Sequence, residues 1–545
     1  MKLFRGQIFF DALRAFHARQ PLAGVAVSLV VGIYLGYRFP DALVLLLVLA
    51  VGGAALSRVS GDWKRPCALF FGVCLTGILL SFVNLLHRDS ECAALLTLPS
   101  GEKFTCRVDP DIRIRNLKGM AARYTFSAAE LESESGVRIR RLPVRINWYG
   151  IRPEKDKDAA APHGNERWRF TGTFRPVTDR FGLIYVECNV SERASERIAA
   201  IDLTTWRGRV EAARRQAARR VAIGIEDWPV VPDLARAILL GARREIPSGV
   251  RQMFADSGTV HIFAISGMHI ALIAGILGFA VSLLRIPRPY WFFALAPLIV
   301  FYTVVTGARP SAVRACLMTL FFFLGPSVGR RPNALASLAA TAILVFVFQP
   351  WLVFDIGCRL SFAVMLGLVV FYKPFREIAL RLFRVETLEE RIPVLRAAGN
   401  TRLAWWCGVG CSILRNECGV FAVSLAAWLA SIPLTAMYFG RFTPVSLLAN
   451  LVIAPVSFLV VLSGCLGLLA GLLSETIAAC FNNAAGFFIE ILVEVSRISV
   501  SIPGGSFQIR KWNTPMVYAW LFLLILLAAY LRYRNRNRVI ARFDR

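Results

Sequence analysis

The feature that most constrains this chain is the length of its apolar runs. PLAGVAVSLVVGIYLGYRF (21–39), ALVLLLVLAVGGAALS (42–57) and PCALFFGVCLTGILLSFVNLL (66–86) crowd the N-terminal region, and apolar runs resume near residue 235 and continue almost to the end. Crossing a hydrocarbon core about 30 Å thick takes roughly 20 helical residues. Inside it, every backbone N–H and C=O must find a partner within the protein, which leaves helices and closed barrels. With 56% hydrophobic residues among 545, the chain reads as a polytopic membrane protein and not as a soluble globule. Residues 21–39 follow a basic N-terminus, and no small-residue cleavage site precedes the next run. They are read as an uncleaved first span, not a signal peptide.

The net charge of +27 first reports orientation, because Lys and Arg collect at the cytoplasmic ends of spans. Lys2, Arg5, Arg14 and Arg19 precede the first span, and Arg58, Lys64 and Arg65 separate the second from the third. Both places are therefore expected inside, and the chain after residue 87 outside. The tail LRYRNRNRVIARFDR (531–545) holds six arginines against one aspartate and is expected to be cytoplasmic.

Residues 88–206 are of another kind, with 20 Lys/Arg balanced by 17 Asp/Glu. Short alternating runs appear at 103–108 (KFTCRV), 122–131, 140–149, 167–174 and 183–188, separated by turn-rich pieces. Five short strands in about 100 residues predict a small antiparallel barrel of the OB type, with a sandwich as the alternative. The twelve cysteines include no CxxC pair, and only Cys92, Cys106 and Cys188 fall in this outward segment. A barrel whose first and fifth strands are neighbours brings Cys106 and Cys188 into bonding reach, so a disulfide is expected there.

A basic helical pattern follows at 206–225, with six Arg and one Glu over its first fifteen residues. It reads as an interfacial helix on lipid headgroups, with a nucleic-acid contact as the sharper alternative. The expected organisation is a mainly α polytopic membrane protein with a small extracytoplasmic β domain inserted after the third span. Its parts are a three-span region (1–87), the OB-like domain (88–206), a basic amphipathic linker helix (207–229), a larger membrane domain (230–530) and a basic tail (531–545). A polar insert at 373–417 is long enough for one or two surface helices.

Within the larger membrane domain, GTVHIFAISGMHIALI (258–273) places His261 and His269 in an apolar run. An unbroken helix sets them about 80° apart in projection and about 12 Å apart along the axis, too far for joint metal ligation. Ser266 and Gly267 offer a break point, and broken membrane helices occur where backbone lines a cavity or site. Two histidines hydrogen-bonded to neighbouring helices are the structural alternative. Arg309, Arg314 and Arg359 also sit in or beside apolar runs. A lipid-facing Arg costs several kcal/mol, so these are expected to face water or a partner. Asp355 stands four residues before Arg359, the spacing of a helical ion pair. Arg309 and Arg314 have no acidic neighbour within ten residues.

The segment DLARAILLGARREIPSGVRQMFADSGTVHIFAISGMHIALIAGIL (233–277) resembles the signature of the ComEC family of competence DNA-uptake channels. TGARPSAVRACLM (306–318), the span pair within 329–367 and IPLTAMYFGRFTPVSLLANLVIAPV (432–456) are similar to later family segments, in the family's order. Cys358-Arg359 departs from the pattern, which usually has an aromatic residue and Gln there. The resemblance implies a multi-pass channel of the bacterial cytoplasmic (inner) membrane that moves single-stranded DNA inward during natural transformation. It also implies a path drawn from His261, Ser266, Gly267, His269, Arg309, Ser311, Arg314, Arg359 and Asn450. The implied partners are single-stranded DNA, membrane lipids, a separate motor ATPase and a DNA-receptor protein, with a homo-oligomer among the permitted assemblies.

Many family members continue into a metallo-β-lactamase-like domain built on an His-x-His-x-Asp-His cluster. The five histidines here (17, 87, 163, 261 and 269) form no such cluster, and no P-loop occurs. The chain thus reads as a form lacking that domain, without cofactor or metal and not itself an enzyme. Two other readings stay open at this level: a transporter or flippase for a small anionic or lipid-linked substrate, and an intramembrane enzyme using His261, Ser266 and His269. An accessory pore that has lost uptake is a variant of the channel reading.

Overall fold

The computed structural model describes residues 21–38, 64–108, 113–116, 121–139, 144–151, 166–178, 184–199, 206–242, 246–263, 267–398 and 400–543. The span expected at 42–57 and the residue Ser266 lie outside the described residues. The chain divides into two units, Met1–Arg219 with Pro297–Arg309 and Ala339–Phe354, and Arg220–Ala296 with Pro310–Leu338 and Asp355–Arg545.

In the first unit, helices α1 (Pro21–Arg38) and α2 (Lys64–Leu96) pack on each other through small residues. A Cβ on Gly32 would collide with the Cys74 carbonyl, and one on Gly77 would lie 2.7 Å from the Leu29 carbonyl oxygen. Backbones that close need glycine at the contact, the usual way membrane helices associate where no hydrophobic gradient drives them. Ser81 donates to the Ile33 carbonyl at 3.1 Å and ties the pair further. Tyr34 stacks on Phe354 and Tyr37 meets the same ring edge to face; Phe354 ends a short 3-10 turn at Pro350–Val353.

The β-rich region follows α2. Its strands are β1 (Glu102–Val108), β2 (Arg113–Asn116), β3 (Ala121–Ser133), β4 (Arg138–Ile139), β5 (Val144–Ile151), β6 (Arg167–Thr178), β7 (Ile184–Ser191) and β8 (Ser195–Ala199). All five alternating runs of the sequence become strands, because one face of each is buried: Phe104, Cys106 and Val108 on β1, Val144, Ile146 and Trp148 on β5, Val186, Cys188 and Val190 on β7. Pairing runs β1–β3–β5–β7–β6 and returns from β6 to β1, with only β5–β7 parallel. The first and fifth of the long strands are therefore not neighbours, contrary to the expectation. β1 lies between β3 and β6, and β7 between β5 and β6. Cys106 and Cys188 point into the same core as two free, buried thiols. Gly172 on β6 makes room for Cys188, whose sulfur a Cβ there would strike.

The second unit is helical. It contains α4 (Val231–Leu240), α5 (Ser248–Asp256), α6 (Gly267–Leu283), α8 (Pro310–Ser327), α10 (Ile356–Leu382), α11 (Val385–Ala397), α12 (Thr401–Phe439), α13 (Ser446–Ala470), α14 (Glu475–Ser501) and α15 (Thr514–Phe543). Helices α3 (Trp206–Ala222), α7 (Trp291–Val305) and α9 (Ala334–Phe348) cross the division between the units. Among the described residues, eight helices are long and apolar enough to cross a membrane, and three shorter apolar ones include Gly267–Leu283. The architecture is that of a mainly helical polytopic membrane protein. α4 is buried on nearly every face, with Leu239 set where Gly464 of α13 leaves space. Asn482 of α14, itself buried, donates to the Arg220 and Ile223 carbonyls at 2.8 and 3.0 Å, closing the C-terminal end of α3.

Burial pushes the Cys188 thiol up to about 12 and Cys106 higher still, the latter helped by the nearness of Cys188. A thiol raised in the folded state favours folding below its ordinary value of 9.0 and loses that contribution as pH climbs toward 12. In the purified, unreduced protein both thiols should resist iodoacetamide at pH 8 and react once urea unfolds the domain. Mass spectrometry after labelling checks this; a need for reductant before labelling would reveal a disulfide instead.

Candidate functional site

The histidine block begins at the end of α5. Asp256 pairs with Arg441 at 2.9 Å, joining α5 to the short strand β9 (Arg441–Phe442), which pairs with β10 (Phe507–Gln508). Ser257 and Thr259 hydroxyls lie 2.6 Å apart, both fully buried, and Thr259 reaches Ser496 of α14 at 3.3 Å. Between them Gly258 adopts φ +76, a conformation that L side chains rarely take. A Cβ there would meet Ser446 and Thr443 side-chain atoms at 2.8 Å. Three contacts of different chemistry, an ion pair, a hydroxyl relay and a glycine close approach, thus clamp the turn that carries the block.

From this clamp the chain makes a single 3-10 turn, Val260–Phe263, and α6 begins at Gly267. His261 and His269 therefore sit on separate elements. His261 is exposed and its Nδ1 lies 3.3 Å from the Gly258 carbonyl, to which the Nδ1-protonated tautomer donates. His269, in the first turn of α6, is completely buried. Gly267 lies against α8, where its Cβ position is 3.8 Å from that of Ala315.

Next to Ala315 is Arg314, 3% exposed. Its Nη2 donates to the Gly357 carbonyl of α10 at 3.0 Å, while Nε and Nη1 have no hydrogen-bond partner among the described residues. A buried guanidinium with two unmatched N–H directions is costly, since each lost hydrogen bond forfeits the group's hydration without replacement. Ser311 stands one turn before Arg314 on the same side of α8 and is half-buried. Arg309 lies in the segment that leads into α8 and belongs to the other unit.

Arg314 reaches the start of α10, which Asp355 caps by accepting from the Cys358 N–H at 2.7 Å. An N-cap aspartate satisfies one of the orphan N–H groups of a first turn and suits the positive end of the helix dipole. The i,i+4 spacing suggested a partner for Arg359; the structure gives Asp355 to the helix start, and Arg359 donates to the Tyr438 hydroxyl of α12 at 3.0 Å. Tyr438 was invisible to sequence reasoning, standing 79 residues away with no pattern linking it to Arg359. Asn450, in the first turns of α13, is half-buried with its Oδ1 unpartnered among the described residues.

Gly267, Arg314 and Arg359 thus join α6, α8, α10 and α12 in a continuous line of contacts, with His269 in the first turn of α6. The residues on this line supply hydrogen-bond donors and positive charge, and among the described residues no three His, Cys, Asp or Glu side chains gather as metal ligands.

A family model described as Competence protein matches residues 238–534. That span holds every path candidate named from the sequence and leaves out the β-rich region. ComE operon protein 3 of Bacillus subtilis is 23% identical over 306 residues, covering 56% of this chain and 34% of that protein. Competence protein ComA of Neisseria gonorrhoeae is 26% identical across 37% of this chain and 32% of its own length. An uncharacterized protein of Aquifex aeolicus is 26% identical over 43% of this chain and 46% of that one. The chain spans less than half the length of each of these curated relatives. No solved structure matches.

The clamp predicts a local vulnerability. Gly258→Ala combines a left-handed backbone with a 2.8 Å overlap and should destabilise by about 2 kcal/mol or more. The detergent melting temperature of the purified variant measures this; an unchanged value would mean the turn relaxes freely.

Proposed function

The chain belongs to the Competence protein family, and from that premise we propose that it is a channel of the bacterial cytoplasmic membrane carrying single-stranded DNA inward during natural transformation. The observation that carries this reading is Arg314. It is buried among helices of the family-matched region, holds one carbonyl, and keeps two N–H directions unmatched among the described residues. A guanidinium serving only as packing would be expected to satisfy its donors, whereas one that meets passing phosphates keeps donors in reserve. A relative named as a competence protein, of Neisseria gonorrhoeae, supports the same direction.

In this reading His261, Ser266, Gly267, His269, Arg309, Ser311, Arg314, Arg359 and Asn450 contribute to the path. The closed circuit of five long strands supports an OB-like barrel for residues 88–206. The Lys/Arg asymmetry around the first spans supports its position outside, with both termini cytoplasmic. Without a P-loop in the sequence, the energy comes from a separate motor ATPase, and a DNA-receptor protein delivers the strand. The chain itself acts as a channel and not as an enzyme.

Arg314→Met and His269→Phe separate transport from packing. Both should accumulate to normal levels and melt close to the wild type in detergent, since an apolar side chain of similar size replaces a buried polar one. Internalised labelled DNA per molecule should fall by about tenfold or more, equivalent to losing one good interaction with the strand. Transformation frequency and imported label, each normalised to membrane protein, are the measurements. Normal passage in both variants would overturn the proposal. Retained passage of a small anion or lipid-linked substrate, with none of DNA, would mark a transporter.

A further inference from the structure

Residues 391–416 contain four arginines, Arg391, Arg396, Arg402 and Arg415, and no acidic residue. They form the end of α11, the turn and the first part of α12. The ion pair of Glu389 with Arg415 holds the two helices antiparallel, so the remaining three arginines gather toward the tip. On α12, Trp405 and Trp406 are 58% and 65% exposed, their rings edge to face with centroids 4.7 Å apart. Arg402 precedes them by three and four residues and therefore shares their side of the helix. Exposed tryptophans this large, beside Arg402 with no acidic residue within ten positions, are unusual on a surface that meets only water.

Lipid is a poor occupant for this tip. From Cys418 to Phe439, α12 carries no charged residue, and those 22 residues already span about 33 Å, enough for the hydrocarbon core. The straight continuation carries the tryptophans about 20 Å further, beyond the acyl chains. The side is also readable. Leu524, Leu527, Ala528 and Leu531 of α15 pack with Phe371 and Phe375 of α10 and with Ala422 and Ala426 of α12. The C-terminal end of α15 thus lies at the hairpin's end of the bundle. Six arginines follow Leu531, which assigns that end to the cytoplasm under the positive-inside rule.

We propose that the α11–α12 tip is a landing surface for single-stranded DNA on the cytoplasmic side, with Trp405 and Trp406 stacking bases and Arg391, Arg396 and Arg402 holding phosphates. It rests on the channel reading above and adds where the strand goes on leaving the membrane. Proteins that hold single strands regardless of sequence combine these two elements, cations along the backbone and aromatic faces for the bases. Both are exposed here on one rigid hairpin.

The test uses the full-length protein in nanodiscs and a fluorescein-labelled oligothymidylate, with affinity read by anisotropy across a salt series. Replacing Trp405 and Trp406 by Ala should weaken binding by about tenfold or more, and replacing both by Phe should restore most of it. Changing Arg391, Arg396 and Arg402 to Gln should flatten the salt dependence by about two units of slope. An oligonucleotide bearing 5-iodouracil should photocrosslink to the hairpin tryptophans. If the alanine pair and the glutamine triple bind as the wild type does while DNA passage persists, the landing surface is refuted and the channel stands. If the tip instead captures an acidic protein and leaves DNA binding unchanged, it is a protein dock and the proposal fails. If the wild type neither binds nor passes DNA, the channel reading falls, and the landing surface with it.

Discussion

Inside hydrocarbon a backbone group has no water to fall back on, and each interruption of a helix must find its partners within the protein. The helical unit shows how this chain meets that demand. The C-terminal end of α3 is closed by the buried amide of Asn482, and the start of α10 by the Asp355 carboxylate. The turn before the histidine block is closed by the Ser257, Thr259 and Ser496 hydroxyls. Each break is thereby a fixed structural point, able to hold a side chain such as His269 or Arg314 in one place.

Close approach of backbones is the second device. Gly32 and Gly77 let α1 and α2 touch, Gly464 admits Leu239, and Gly258 lets its turn press on Thr443 and Ser446. Membrane helices gain little from hiding apolar surface from equally apolar lipid, so contact at short range supplies what the hydrophobic effect cannot. The β-rich region works by the opposite rule. Alternating side chains from its strands fill a shared core, and burial in water-facing protein drives the assembly.

Much of this was legible in advance. The five alternating runs became five long strands because a period of two marks a half-buried sheet whatever the neighbours are. Among the described residues, the apolar runs became helices for an equally local reason. The strand order behind the expected Cys106–Cys188 link was misjudged because it depends on which edges meet. β6 enters between β1 and β7 even though no residue in any of the three runs announces it. The Asp355 carboxylate was similarly ambiguous: it stands four residues before Arg359, the interval of an ion pair within a helix, and three before Cys358, the interval of a cap, and only the position of the helix start decides.

By itself the sequence determined the elements and the solvent each one expects, since run length, period and charge asymmetry act within a few residues of one another. It also carried the family signature, because the motifs between 233 and 456 are strings of neighbours. Tertiary structure alone decided that Arg314 would reach Gly357, that Arg359 would find Tyr438 and that the tryptophans of α12 would stand clear on a basic tip. Those outcomes depend on how far each helix extends and which faces meet. Which helix faces meet and the match of small residues to large ones are properties of pairs of distant segments, and no single stretch of chain contains them.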